Sequence, residues 1–196
     1  MTALLNLTNL LGRLNAAVLT LGLWLGAGAL GIMLVFILVQ VFFRYILGDA
    51  LAWSEEASRF LMLWMTGLMV PTAFRQGGFV AITMILDIFP RAIGTIIALL
   101  FLGLSGVLLF VGMRIGWAEA AGLGGRFAMP AIAVPTSLDL STWMKVPRSW
   151  MMASLAAGVT MMFVVNIELI LRGLLELFGR GERLQPITTF GGLGAE

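Results

Sequence analysis

The chain has 196 residues, of which 60% are hydrophobic and 11% charged, with a mean hydropathy of +1.03. Soluble domains carry about 25% charged residues, so this composition describes an all-α, polytopic integral membrane protein and excludes a soluble domain with one large core. The net charge of +2 arises from basic residues scattered singly, which excludes a nucleic-acid footprint, and the lack of Cys and His removes disulfides, Cys or His metal sites and Cys- or His-based nucleophiles.

The first twelve positions are apolar and lack the positive cluster of a secretory signal, so the first span is expected to stay in the mature protein. Leu4, Leu5, Leu7, Leu10 and Leu11 there are compatible with a helix lying at the membrane surface or with a ragged start to that span. Leu14 to Phe43 carries no charge, which is about 45 Å of helix against a hydrocarbon core of ~30 Å, so this first span tilts or projects. Gly22 and Gly26, followed by Ala27 and Gly31, give the small-residue spacing that lets helix backbones approach.

A polar cluster follows, made of Arg44, Asp49, Glu55, Glu56 and Arg59. A second helical span over about 51–75 fits it, with Asp49 placed to cap the helix and Glu55 and Glu56 both within reach of Arg59. Neighbouring residues on a helix point about 100° apart, so Arg59 serves only one carboxylate well and the other must find water, Arg44 or a basic group on a partner. The cluster is expected to tie the end of the first span to the start of the second, with one carboxylate, Glu56 for preference, in contact with a partner. Trp53 and Trp64 are of the type that sits where lipid meets water. Arg59 and Arg75 are separated by only about 22 Å of helix, short for a crossing, and Pro71 is expected to kink or loosen the last turn.

Residues 79–89 are apolar but too short to cross, and read as an interfacial segment. A third span is expected over 92–121, with Gly112 and Gly116 at the small-residue spacing. Positions 122–147 hold several Gly and Pro and read as a long loop. A fourth span over 148–172 carries Ala153 and Ala157, Ser154 and Gly158, and an i, i+4 pair of Glu168 and Arg172. Residues 1–178 are thus expected to form a single four-span domain, and 179–196 a disordered tail.

The order FFRYILG at Phe42–Gly48, WSEEASR at Trp53–Arg59 and AFRQGG at Ala73–Gly78, followed by an apolar segment ending at Pro90, resembles the small membrane subunit (small permease) of tripartite ATP-independent periplasmic (TRAP) transporters. The specific part of the resemblance covers roughly Phe42 to Pro90, and it departs at Phe79 and Thr83, where the family often carries His and a carboxylate. The resemblance implies a non-catalytic subunit with no cofactor, packed beside a large elevator-type membrane subunit that holds the substrate and sodium sites. It also implies a periplasmic substrate-binding protein as partner, organic acids such as C4-dicarboxylates or sialic acids as substrates, and a bacterial inner membrane with both chain ends cytoplasmic. Charge alone leaves orientation open, because basic residues divide equally between the two sides.

An enzyme needs convergent polar groups at a cavity, and a transporter acting alone needs ionisable groups near the bilayer centre; the apolar mid-span positions here suit neither as well as they suit a scaffold subunit. The candidate contact residues are Arg44, Tyr45, Trp53, Glu55, Glu56, Arg59 and Arg75, and the candidate helix-packing residues are Gly22, Gly26, Gly31, Gly112, Gly116, Ala153, Ala157 and Gly158. Phospholipid is the remaining expected partner, and a stand-alone four-helix transporter or channel is the alternative.

Overall fold

The computed structural model describes residues 2–49, 51–77, 90–135 and 143–178. The interfacial segment expected at 79–89, the tail from 179 and the middle of the long loop lie outside them. Helix α1 (Thr2–Phe42) runs into a π-turn (Phe43–Leu47), and α2 (Ala52–Arg75) returns beside it. Helix α3 (Arg91–Ala121), the single turn α4 (Leu123–Arg126), strands β1 (Ala128–Pro135) and β2 (Trp143–Pro147), and helix α5 (Ser149–Leu177) complete the described elements. Among the described residues, three helical stretches are long and apolar enough to cross a membrane, Leu4–Leu47, Ile93–Ala121 and Ser149–Leu177. Helix α2 falls outside that group because Glu55, Glu56 and Arg59 occupy its first turns and Arg75 its last.

The N-terminal leucines do not form a separate surface helix. Positions 5, 8, 12, 15, 19, 22 and 26 are buried, alternating in steps of three and four, the seam of a left-handed coiled coil. That seam is continuous from the first turn, so helix and span are one element. From Gly12 onward it lies along α2, and its small residues set the spacing. A Cβ on Gly22 would lie 3.2 Å from the Leu68 carbonyl oxygen, and one on Gly26 would lie 2.6 Å from Cγ of Met69. Gly31, expected to pack, meets nothing within 4 Å and is exposed, because it lies on the opposite face of α1.

The turn between α1 and α2 depends on Gly48, whose φ of 71° is the left-handed conformation that closes the π-turn. Asp49 donates its backbone N–H to Phe43 O at 3.2 Å. It therefore completes the preceding turn and does not cap α2, where Leu51 is the N-cap and Ser54 Oγ donates back to Leu51 O. Helix α2 also continues through Pro71 to Arg75. The proline leaves the Gly67 carbonyl without its usual helical donor, and α5 crosses at that point. A Cβ on Gly158 would stand 2.7 Å from this oxygen and 2.8 Å from the Gly67 Cα, so two glycines bring the backbones of α2 and α5 together.

Helix α5 is central. One face, with Ser154 and Gly158, meets α2. Another meets α3, where Ala156 is fully buried against Gly116 and Gly112 approaches Val159. Ala153 and Ala157 are only half-buried, because the close approaches fall on their neighbours. Asn166 Nδ2 donates to Leu102 O at 3.0 Å across this interface, in the space left by Gly106. The spatial order is therefore α1, α2, α5, α3, with α1 and α3 at the edges.

Candidate functional site: the two polar ends of α2

At the C-terminal end of α2, a carboxylate is enclosed by the bundle. Glu168 on α5 is fully buried, while Arg75, Arg172 and Asn15 are each at least nine-tenths buried. Arg75 donates from Nη2 to Glu168 Oε1 at 2.8 Å and from Nε to Oε2 at 3.0 Å, the bidentate fork that suits a guanidinium and a carboxylate. Arg172 Nε adds a bond to Oε1 at 2.9 Å, and Asn15 Nδ2 one to Oε2 at 2.7 Å. Arg75 Nη2 also donates to Gly12 O at 2.9 Å. A side chain at position 12 has no room, since its Cβ would lie 2.9 Å from Arg172 Nη2 and 3.1 Å from Glu168 Oε1.

A buried charge is tolerable only when paired and fully hydrogen-bonded. Glu168 meets that condition with donors from α1, α2 and α5, so the cluster fixes three helices in one register. Its chemistry is that of a tie: both carboxylate oxygens are occupied by the chain's own donors. The sequence shows the Glu168–Arg172 pair through its i, i+4 spacing. Arg75, a candidate contact residue alongside those of the first loop, lies instead at the far end of the same helix, with Glu168 as its partner. An ionisable residue isolated in an apolar span was the available signal at Glu168; nothing in the pattern pointed to Asn15 or Gly12.

At the N-terminal end of α2 the remaining predicted residues are gathered on the surface. Glu55 and Arg59 form an exposed i, i+4 pair at 3.1 Å. The Arg44 guanidinium lies 6.0 Å from the centre of the exposed Tyr45 ring. Trp53 packs edge-on against Phe36 of α1, with ring centres 5.4 Å apart. Glu56 behaves differently from its neighbours, because its Oε2 accepts the backbone N–H of Ala131 at 2.8 Å.

That bond explains the stretch read as a loop. Strands β1 and β2 are antiparallel, with Ala133 opposite Lys145 and Ala128 opposite Pro147. The register shifts between positions 128 and 133, a bulge that takes residues out of the ladder. Ala131 lies in it, and its N–H is satisfied by Glu56. Met129 and Val146, at 2% and 4% exposure, are buried in the hairpin, while Phe127, Trp143 and Met144 stay exposed. The hairpin is thus fastened to the start of α2 by one carboxylate. Among the described residues, no group of three His, Cys, Asp or Glu side chains is placed to hold a metal ion.

A row of long apolar helices joined by glycine crossings and one enclosed ion cluster defines a helical membrane protein. A family profile described as "Tripartite ATP-independent periplasmic transporters, DctQ component" matches residues 33–176. The matched region takes in the α1–α2 turn, the hairpin and most of α5, and the chain belongs to this family of transporter components, which work in a tripartite assembly with other subunits. No curated protein matches the chain.

Proposed function

We propose that this chain is the non-catalytic small permease subunit of a sodium-driven, binding-protein-dependent transporter for organic acids in the bacterial inner membrane. Its work is to enlarge the static scaffold beside the large membrane subunit, which moves the substrate. Family membership carries this reading. The enclosed cluster supports it, because Glu168 spends both oxygens on Asn15, Arg75 and Arg172, which suits a rigid support better than a moving gate. The hairpin, with Trp143 and Met144 outward, is the element proposed to help dock the periplasmic binding protein. In this reading both chain ends are cytoplasmic, the hairpin is periplasmic, and 1–178 forms one four-span domain.

The test is co-purification of a tagged chain from its native membrane, followed by mass spectrometry. A large membrane subunit is expected in the eluate, and its removal should abolish uptake by reconstituted liposomes. Uptake by liposomes containing this chain alone overturns the proposal.

A further inference from the structure

The helices are in register at one cross-section of the bundle. Gly22 of α1 lies against Leu68 of α2, Gly67 against Ser154 and Gly158 of α5, and Ala156 against Gly116 of α3. From that section toward the hairpin end, at ~1.5 Å per residue, the first charge on α1 is Arg44, about 33 Å away. On α2 and α5 the first charges are Arg59 and Arg148, each about 12 Å away. On α3, Arg114 and Glu119 lie within about 5 Å of the section itself, and both are exposed.

Toward the opposite end the order reverses. Arg13 and Arg75 come after about 12–14 Å, Glu168 after about 18 Å, and α3 runs free of charge from Arg114 for about 35 Å. The charge-free band therefore sits high on α1, level on α2 and α5, and low on α3, following the row from edge to edge.

A bilayer perpendicular to the helices cannot satisfy this pattern. A ~30 Å hydrocarbon slab centred on α2 and α5 would hold the exposed Arg114 and Glu119, which is costly. It would also leave the exposed apolar Val35, Leu38, Val41 and Phe42 of α1 on one side, and Ile93, Ile96 and Leu100 of α3 on the other, in water. We infer that the bilayer meets the bundle on a slant, so that its hydrocarbon covers the C-terminal half of α1 at one edge and the N-terminal half of α3 at the other. The slant brings Arg114 and Glu119 to the headgroups on the hairpin side and matches α1 to the membrane without a kink. It calls for helices toward the upper part of the ~0–40° tilt range.

Leu38 and Leu100 decide the matter. They are 60% and 70% exposed, and each lies about 24 Å from the common section in opposite directions. Their separation along the helices exceeds the hydrocarbon thickness. Because the chain has no Cys, Leu38→Cys and Leu100→Cys accept single nitroxide labels, with Leu155→Cys, at the section itself, as the reference. The full chain is placed in liposomes of phosphatidylethanolamine and phosphatidylglycerol, and collision with oxygen is compared with collision with a water-soluble nickel chelate. On the slant, all three labels favour oxygen over nickel. Val35→Cys and Leu104→Cys repeat the test about one turn closer to the section. A label at Leu38 or Leu100 that favours nickel, or is shielded from both reagents, overturns the inference.

Discussion

Glu168 gathers two guanidinium groups and an amide around one carboxylate, at 2.7 to 3.0 Å. Removing it leaves Arg75 and Arg172 buried without the counter-charge they share, a change that costs about 3–5 kcal/mol when one member of a buried pair is lost. Glu168→Ala is therefore expected to lower the thermal unfolding temperature of the purified protein strongly. Glu168→Gln, which keeps the shape and one acceptor, should fall between it and the parent. Glu55→Ala removes an exposed pair, worth under about 1 kcal/mol, and should leave the same measurement nearly unchanged. If Glu168→Ala unfolds with the parent, the cluster is not the tie described above. The contrast also marks what could be read from the residues alone. Both i, i+4 pairs were visible by spacing, but their burial was not, since spacing gives the partner on the same helix and says nothing about the helix laid across it. Arg75 and Glu168 lie 93 positions apart, and no local pattern links them.

At the scale of elements, the same limit separates the glycines. The small-residue spacing picks out Gly22, Gly26, Gly116 and Gly158, which the fold uses, and Gly31, which it does not use within the chain. Helical period locates a face, while the identity of the face that meets a neighbour is set by the other helices. Gly158→Leu would drive a side chain into the backbone of Gly67, and Gly67→Leu would do the same to Ser154. Either is expected to separate α2 from α5 and to cost about 3 kcal/mol or more, at or beyond the upper end of the ~1–3 kcal/mol typical of overpacking, because the atoms in the way are backbone. Gly31→Ala meets open space and gains helix propensity, so its unfolding temperature should match or exceed the parent's. Thermal unfolding in one detergent compares all three. The hairpin was the element least legible in advance. Its Gly and Pro residues mark irregular backbone, which is correct for the bulge, but Pro130 and Pro135 in β1 and Pro147 in β2 count against a strand reading and hide the pairing. Glu56→Gln weakens the acceptor for the Ala131 N–H, and a bond to a charged group is worth about 1.5–3 kcal/mol. Hydrogen exchange over 128–133 should accelerate by about tenfold, the equivalent of ~1.4 kcal/mol, while exchange in α3 and α5 stays as it was. Unchanged exchange in the bulge would mean that the Glu56 bond does not hold the hairpin.

The whole molecule turns on α2. Among the described long helices, composition makes it the weakest candidate to cross, and the three others meet the requirement. Its contacts argue the other way. Trp53 pairs with Phe36 near one end of α1, and Arg75 reaches Gly12 near the other, so α2 lies along more than half of α1 in the opposite direction. The stretch of α1 so covered, from Gly12 to Phe36, spans about 36 Å, more than the ~30 Å of hydrocarbon. If α1 crosses, α2 crosses back. Its charges do not oppose this, since Arg75 is enclosed with Glu168 and Glu56 is engaged by the hairpin. A helix shielded by neighbours needs less apolar surface of its own than one facing lipid, which is why a hydropathy reading undervalues it. We therefore expect Asp49→Cys and Gly77→Cys, just outside the two ends of α2, to label with a membrane-impermeant maleimide from opposite sides of oriented membrane vesicles. Labelling of both positions from one side would reduce the crossings by one, and α2 would then be a helix folded back against α1 without passing through the bilayer.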